Sequence, residues 1–473
     1  MIGRRMVLGG LAASAGAAGA WAQASAFNGT WNGTLDAGGT KLRLRLVINA
    51  DDSAMLYSLD QGAQPIPAKV VGRGNDYVVV DVPVINARYT AVLEKGRLVG
   101  TFTQGGDLPL EMERGEAVAA LVPPPAAPAP AAEPPAEPLT DALLQQWRKA
   151  AGIPAMAAAA EKGGQRRFWA DGDRVTGLPM PVSTEDLWHV GSITKSMTAT
   201  LVGRLVEAGR FAWTDTVSGV LGALPGMRPE YAQATFRHLL SHTSGLPGNI
   251  AMQNLMAFSR EIDDARAERR KWAEMALAMA PVGEMARKFE YSNNGYIVAG
   301  AMLEARMGES WEQLIRKHLF DPLGLKTAGF GAPGTEGQVD QPSGHAAGPS
   351  GLIAMIKGDG PTDNPAALGP AGRVHMSQAD MLTYLAAHRD RSGLLKAETW
   401  DVLHKPPFGG PYAMGWVVRP DGSLWHNGSN TMWYAEAAFS PTAGWAATAA
   451  ANDGRQPSHP VVGRTLKSAA AAV

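Results

Sequence analysis

A proline-rich stretch divides this chain and limits how it can fold. Eight of the eighteen residues from Leu121 to Pro138 are proline, and most of the others are alanine. Proline has no amide hydrogen and fixes its φ angle, so such a stretch forms neither a helix interior nor a central strand. It is extended and semi-rigid instead. We therefore predict a linker over 118–138 between an N-terminal domain, 27–117, and a larger domain, 139–473.

The first 26 residues have the pattern of an export signal. An arginine pair, Arg4-Arg5, precedes an uncharged run from Met6 to Ala20, and small-residue cleavage patterns follow. These features are typical of a cleavable signal peptide, and the arginine pair leaves the twin-arginine route open. The sequence predicts an exported, periplasmic protein without a transmembrane segment in the mature chain. An uncleaved membrane anchor is the alternative.

The composition limits the partners and the catalytic groups that this chain can use. The chain of 473 residues has 43 Lys plus Arg against 44 Asp plus Glu, and this balance indicates no nucleic-acid partner. It contains no cysteine, which excludes disulfides, thiolate nucleophiles, iron–sulfur clusters and cysteine-based zinc sites. Catalysis would have to use hydroxyl, amine, imidazole or carboxylate groups.

The two domains differ in their hydrophobic patterns. Lys41–Leu46 alternates charged and apolar residues, and similar runs at Tyr77–Val82 and Arg97–Phe102 are separated by turns. This alternation predicts a small all-β domain, closed or half-closed into a barrel. In 139–473, helical patterns alternate with short strand-like runs without a βαβ rhythm, which predicts an α+β domain with an antiparallel sheet. The charge-dense stretch Arg260–Arg270 is expected to be a helix with a solvated face, and a substrate lid is the alternative.

Ser192 and Lys195 form the only Ser-x-x-Lys in the chain. Apolar residues at helical spacing follow, so Ser192 should lie at a helix N-terminus with Lys195 one turn further on the same face. A lysine amine can activate a serine hydroxyl when burial or positive charge lowers the lysine pKa. The alternative is a serine cap followed by a solvated lysine.

Two further motifs carry polar groups. Tyr291 and Asn293 form the only Tyr-x-Asn in the chain, and they could face one cleft, where the tyrosine relays a proton and the asparagine positions the lysine and a substrate carbonyl. A polar turn that caps a helix is the alternative. In His426-Asn427-Gly428-Ser429, glycine allows close approach of a backbone, and the Ser429 N–H could pair with the Ser192 N–H as an oxyanion hole.

The three motifs occur in the order Ser-x-x-Lys, Tyr-x-Asn and His-x-Gly, separated by 99 and 135 residues. In this the chain resembles the serine β-lactamase and penicillin-binding-protein superfamily. It is most similar to the class C β-lactamase-like group, which includes family VIII carboxylesterases, serine DD-peptidases and D-aminopeptidases. The segments His238–Pro247, Phe320–Leu325 and Gly369–Gly372 also match. The resemblance covers nearly all of 139–473 and implies a β-lactamase-like transpeptidase fold, preceded here by the small all-β domain.

The resemblance also implies roles for the motif residues. Ser192 would be the nucleophile, Lys195 and Tyr291 the general acid/base pair, and the Ser192 and Ser429 N–H groups the oxyanion hole. The implied substrate-positioning residues are Asn293, His426, Asn427 and Gly428. The implied reaction is acyl transfer from a small ester, amide or peptide through an ester on Ser192, with no metal and no other cofactor.

One departure from the family pattern bears on the substrate. Class C β-lactamases have Lys-Thr-Gly at the third motif, whereas this chain has His426 and Asn427 before the glycine. A neutral imidazole is a weaker partner for an anion than an ammonium group is. We therefore expect an esterase- or D-peptidase-like hydrolase, with a class C-type β-lactamase as the alternative.

Two rival interpretations come from other classes. One is a non-catalytic, penicillin-binding-like protein whose function lies in the β-domain. The other is a zinc hydrolase, because His238 and His242 have the four-residue spacing of metal-binding pairs on a helix. Leu239 stands where such a motif usually has glutamate.

Overall fold

The computed structural model describes residues 25–115 and 136–473, except 38–39, 60–64, 75, 86, 104–106, 256 and 349–350. The chain divides into two units, Met1–Ala132 and Glu133–Val473. Most of the expected export signal and linker lies outside the described residues, so both remain predictions.

The N-terminal unit is an eight-stranded antiparallel barrel in which each strand pairs with the next and β1 also pairs with β8. Its strands are β1 (Gly29–Ala37), β2 (Thr40–Ile48), β3 (Ser53–Ser58), β4 (Pro65–Arg73), β5 (Tyr77–Val82), β6 (Ala87–Glu94), β7 (Arg97–Thr103) and β8 (Asp107–Arg114). Alternate residues face inwards, as Val78 and Val80 do on β5. The predicted all-β domain is confirmed, in its closed form.

The second unit is built on a six-stranded antiparallel sheet with the order β10-β9-β19-β18-β17-β16. Two smaller sheets, β11-β15-β12 and β13-β14, lie beside it. The strands are β9 (Ala155–Lys162), β10 (Gln165–Gly172), β11 (Leu187–His189), β12 (Gly329–Phe330), β13 (Gly344–Gly348), β14 (Gly351–Met355), β15 (Val374–Ser377), β16 (Val417–Val418), β17 (Leu424–Ser429), β18 (Tyr434–Ser440) and β19 (Trp445–Ala451).

Helices cover both faces of the main sheet. They are α1 (Asp141–Ala151), α2 (Thr194–Glu207), α3 (Val217–Leu221), α4 (Phe236–Leu240), α5 (Met252–Leu255), α6 (Arg266–Ala278), α7 (Asn293–Met307), α8 (Trp311–Ile315), α9 (Asp321–Leu323), α10 (Gly369–Gly372), α11 (Gln378–Arg389), α12 (Ala397–His404) and α13 (Ser458–Ala471). A π-helical turn, Arg316–Phe320, joins α8 to α9. Within the described residues, none of the helices combines the length and apolarity that crossing a bilayer requires. This α+β architecture confirms the predicted fold class.

Strand β9 separates two hydrophobic cores. Ala157 and Ala159 belong to the core shared with α2 and α7, whereas Met156 and Ala158 belong to the core formed with α1 and α13. Because the strand is buried on both faces, small alanine side chains let helices approach the sheet closely.

The charged stretch Arg260–Arg270 differs from the expectation. Helix α6 begins only at Arg266, and Arg269 is fully buried rather than solvated. Its guanidinium donates hydrogen bonds to the carboxylates of Glu304 and Glu312 and to two backbone carbonyls. A planar guanidinium can satisfy several acceptors at once, which makes its burial possible.

Candidate active site

Ser192 lies in a single 3₁₀ turn, Gly191–Ile193, that continues directly into α2. The turn follows β11, and the Val190 N–H donates to the Val374 carbonyl of β15 at 2.9 Å. Lys195 lies one turn further on and is fully buried. Its Nζ is 2.9 Å from the Ser192 Oγ, so the structure brings together the pair that the three-residue spacing predicts.

Two acceptors hold the Lys195 amine. Its Nζ is 2.6 Å from the Asn293 Oδ1 and 2.7 Å from the Ala371 carbonyl oxygen of α10. Burial lowers the pKa of Lys195 well below its usual value. A neutral amine has two N–H groups and one lone pair. If the two N–H groups point to these acceptors, the lone pair faces the Ser192 hydroxyl.

Asn293 is the first residue of α7, and Ser292 caps this helix by accepting the Gly295 N–H at 3.2 Å. The Asn293 amide nitrogen donates to the Asn249 Oδ1 at 2.9 Å, which leaves the Asn293 oxygen directed at Lys195. The capping turn and the contact with the lysine therefore coexist in this motif.

Tyr291 lies at the rim of the same site. The Lys195 Nζ is 4.9 Å from the centre of its ring, and 38% of the residue is exposed. Burial of the hydroxyl end raises the pKa of Tyr291, although a hydrogen bond with Ser192 opposes this shift. The phenol therefore keeps its proton at neutral pH and is available as a proton donor.

The backbone of β17 packs directly against the Ser192 turn. A Cβ atom at Gly428 would lie 2.0 Å from the Val190 carbonyl oxygen and 2.5 Å from the Ser192 nitrogen. At Gly191, which has a φ of +49°, a Cβ would lie 2.3 Å from the Ser429 nitrogen. These glycines let the two backbones touch, which brings the Ser192 and Ser429 N–H groups to neighbouring positions.

His426 is buried beside Lys195, and its two ring nitrogens are occupied. The Tyr412 hydroxyl is 2.9 Å from its Nε2, and the Asn427 carbonyl oxygen accepts from its Nδ1. Burial, and the charge that Lys195 carries when it is protonated, lower the pKa of His426 to about 3. The imidazole is therefore neutral at physiological pH.

The structure places Asn427 away from these groups. Successive residues of a strand point to opposite faces, and the Asn427 amide donates to the Tyr434 hydroxyl at 3.1 Å. Tyr434 belongs to the core on the other side of the sheet from α2. Only the backbone of Asn427 therefore borders the Ser192 side.

His242 also lies in this site, although none of the three motifs includes it. It is buried, has a φ of +61°, and accepts the Ser292 N–H through Nδ1 at 3.0 Å. Its ring centre is 4.3 Å from that of Tyr291 and 4.6 Å from that of Tyr412. The only sequence signal for it is its position in the matching segment His238–Pro247.

The two histidines of the zinc hypothesis serve different local structures. His238 is bonded to Thr235 in the cap of α4 and stacks on Phe408, whereas His242 lies beyond the end of the helix. Among the residues that the structure describes, no group of three or more potential metal ligands occurs.

Comparison with known proteins identifies the family of this chain. Residues 140–472 match the family described as Beta-lactamase. The match covers more than half of the chain, so the chain belongs to the beta-lactamase family. The resemblance inferred from the motifs is thereby confirmed. The family consists of serine hydrolases, and the relatives of this chain include a D-alanyl-D-alanine-carboxypeptidase/endopeptidase and an esterase.

Individual relatives show how far the similarity extends. Penicillin-binding protein 4 of Amycolatopsis lactamdurans is 29% identical over 257 residues, which cover 50% of this chain and 60% of that protein. Esterase EstB of Burkholderia gladioli is 31% identical over 179 residues, which cover 35% of this chain and 43% of the esterase. The chain thus spans about half the length of these curated relatives.

Among solved structures, the fold is similar to that of the D-amino acid amidase from Ochrobactrum anthropi SV3 complexed with L-phenylalanine amide. The TM-score is 0.58 at 21% identity, over 70% of this chain and 97% of the amidase. At this identity the likeness concerns the fold alone.

Proposed function

We propose that this protein is an exported serine hydrolase that cleaves ester or amide bonds through an acyl-enzyme on Ser192. The observation that carries the proposal is the Lys195 amine, which is buried, held by two acceptors and 2.9 Å from the Ser192 Oγ. Such an amine is a base of the kind that a serine hydroxyl needs before it can attack a carbonyl carbon.

In the proposed reaction, the neutral Lys195 amine takes the proton of the Ser192 hydroxyl as Oγ attacks the substrate carbonyl. The Ser192 and Ser429 N–H groups stabilise the developing oxyanion. The Tyr291 phenol donates its proton to the leaving oxygen or nitrogen and regains one from the Lys195 ammonium. Water then attacks the Ser192 ester by the same steps in reverse, which releases the acid and restores the neutral amine.

The third motif supports a particular class of substrate. His426 is neutral, and both of its ring nitrogens are occupied, so it offers no positive charge to a substrate carboxylate. We therefore favour esters and amides without a carboxylate beside the scissile bond. The proposed protein is esterase-like, or D-peptidase-like with a scissile bond that is not next to a C-terminal carboxylate, and the similarity to an esterase supports this choice.

Intact-protein mass spectrometry tests the proposal. The purified protein is exposed to a fluorophosphonate and, separately, to a penicillin, with Ser192→Ala as the control. We expect fluorophosphonate to add one adduct that is absent from Ser192→Ala, and penicillin to add little. Labelling by both reagents would instead favour penicillin-recognising peptidase or β-lactamase activity. No adduct in the parent protein would contradict the hydrolase and favour the binding-protein interpretation.

The proposal includes the domain organisation. A domain over 139–473 is supported by the first described helix, α1, because Thr140 caps it and the Leu139 N–H donates to the Ser468 carbonyl at 2.9 Å. The intact mass of the protein purified from the native periplasm tests export. Cleavage near residue 26 removes the predicted signal and lowers this mass. A full-length mass would contradict a cleaved signal.

A further inference from the structure

A buried carboxylate lies behind the turn that carries Ser192. The side chain of Asp363 has no exposed area, and it follows the β13-β14 hairpin in the chain. It accepts four hydrogen bonds, from the His189 Nε2 at 3.1 Å, the Asn430 Nδ2 at 2.8 Å, the Arg373 Nε at 3.2 Å and the Asn364 N–H at 2.7 Å. The reaction proposed above uses none of these groups.

The first connection runs from Asp363 to the Ser192 turn. His189 is the last residue of β11, and its Nδ1 accepts the Gly191 N–H at 3.1 Å. Because Nδ1 accepts, a ring proton is on Nε2, which donates it to Asp363. The carboxylate thus fixes the ring that holds Gly191, the residue directly before Ser192.

The second connection runs from Asp363 to the end of β17. Asn430 follows Ser429 directly, and its amide nitrogen donates to Asp363. The Asn430 Oδ1 accepts the N–H groups of Met432 and Trp433 at 3.2 and 3.1 Å. One side chain therefore ties the turn after Ser429 to the same carboxylate.

The two connections end at residues next to Ser192 and Ser429, whose N–H groups the proposed reaction needs as oxyanion donors. Ser192 and Ser429 are 237 residues apart in the chain, yet their backbones touch through Gly191 and Gly428. An oxyanion hole works only when both N–H groups point to one site, and small displacements are costly in rate. A shared acceptor for both segments supplies that constraint.

We propose that Asp363 is a positioning residue that aligns the Ser192 and Ser429 N–H groups through His189 and Asn430. This inference rests on the proposed function and deepens it. Asp363 touches neither substrate nor reacting atoms, and it acts by fixing two backbone segments that sequence separation leaves independent.

The charge of Asp363 is compatible with this role. Burial raises the pKa of this carboxyl, but His189, Arg373 and the Asn430 hydrogen bond together lower it to below its usual range. The group is therefore a carboxylate at neutral pH and can accept all four hydrogen bonds.

The test compares Asp363→Asn with Glu161→Gln in the full-length protein. Both changes replace a buried carboxylate by an amide. Glu161, however, lies at the end of the main sheet that is opposite to the candidate active site, where it pairs with Arg389 and Arg166. For Asp363→Asn we expect fluorophosphonate labelling to slow by about 10- to 100-fold. Binding of a boronic acid, which places an oxygen in the oxyanion hole, should weaken by a similar factor, while KM for a neutral ester changes less than about threefold. Glu161→Gln should change none of these.

The outcomes separate the two claims. Labelling of Asp363→Asn at the parent rate, a loss equal to that of Glu161→Gln, or equal changes in KM and boronate binding would overturn the positioning role. Absence of labelling in the parent protein would overturn the proposed function itself. Should Asp363→Asn fail to fold, Asn430→Ala breaks only one connection, and a smaller loss of about 3- to 10-fold is expected there. An unchanged rate in Asn430→Ala would contradict the inference.

Discussion

The barrel and the second unit, Glu133–Val473, are assembled by contacts of different range along the chain. In the barrel, seven of the eight strand pairs join consecutive strands, and only the β1–β8 pairing, at Trp31 and Arg114, spans the whole unit. In the second unit, Lys195 contacts Asn293 and Ala371 across 98 and 176 residues. The comparison teaches that local patterns suffice to specify the barrel, whereas the site exists only when distant segments pack together.

The largest effect should come from Lys195 itself. Lys195→Met keeps the length of the side chain but removes the base, so we expect kcat/KM for a neutral ester to fall by about 10²- to 10⁴-fold. Lys162→Met is the matched control, because Lys162 is exposed at the end of β9. Steady-state kinetics of both variants decide the point, and retention of activity in Lys195→Met would contradict a lysine base.

Loss of an ion pair should destabilise the two units by different amounts, because the pair is buried in one unit and exposed in the other. Arg269 of the second unit is fully buried between two carboxylates, whereas Arg88 of the barrel is 57% exposed in its pair with Asp81. Arg269→Met should lower the free energy of unfolding by about 3–5 kcal/mol, because it leaves buried charges unpaired. Arg88→Met should lower it by less than about 1 kcal/mol. Urea titrations measure both, and equal losses would remove the contrast.

The pH dependence of activity tests the state of Lys195. Its pKa is lowered by burial, and protonation destroys the lone pair, so kcat/KM should rise with pH up to that pKa and then level off. Below the pKa the loss is about tenfold per pH unit. His426→Gln should leave the rising limb in place, because the pKa of His426 is only about 3. Activity that falls as the pH increases from 6 to 9 would contradict a neutral amine.

The smallest effect is expected inside the barrel. The Tyr89 hydroxyl donates to the carbonyls of Leu98 or Leu110, at 3.2 and 3.0 Å, and connects neighbouring strands. Tyr89→Phe should lower the free energy of unfolding of the barrel by about 1 kcal/mol and leave Ser192 labelling unchanged. A change in labelling rate would show that the two units are coupled.

Much of the fold follows from the chain's local patterns. Strand β5 has the predicted bounds, Tyr77–Val82, because buried valines at every second position alternate with more exposed residues. Ser192, in the turn before α2, and Lys195, in the first turn of α2, have the expected spacing. Strand β9 is different, because its alanine-rich sequence has no strand periodicity. It is a strand because β10 and β19 pair with it and helices cover both of its faces.

The candidate site likewise has features that the motifs predict and features that only the structure shows. Side-chain types and motif order point to Ser192, Lys195, Tyr291 and Asn293, and the structure places these residues together. The motif does not reveal that Asn427 faces the other side of the sheet, because the direction of a strand residue depends on register.

The sequence by itself determined the alternation that makes a barrel, the helical spacing of Ser192 and Lys195, and the family to which the chain belongs. Tertiary structure alone decided that the Ala371 carbonyl holds the lysine amine, that Arg269 is buried, and that Asp363 joins two backbone segments. The physical reason is the separation along the chain of the residues that interact. Periodicity and spacing act over one or two turns, whereas a buried amine or carboxylate also needs partners from segments far apart in the chain, which close over it and exclude water.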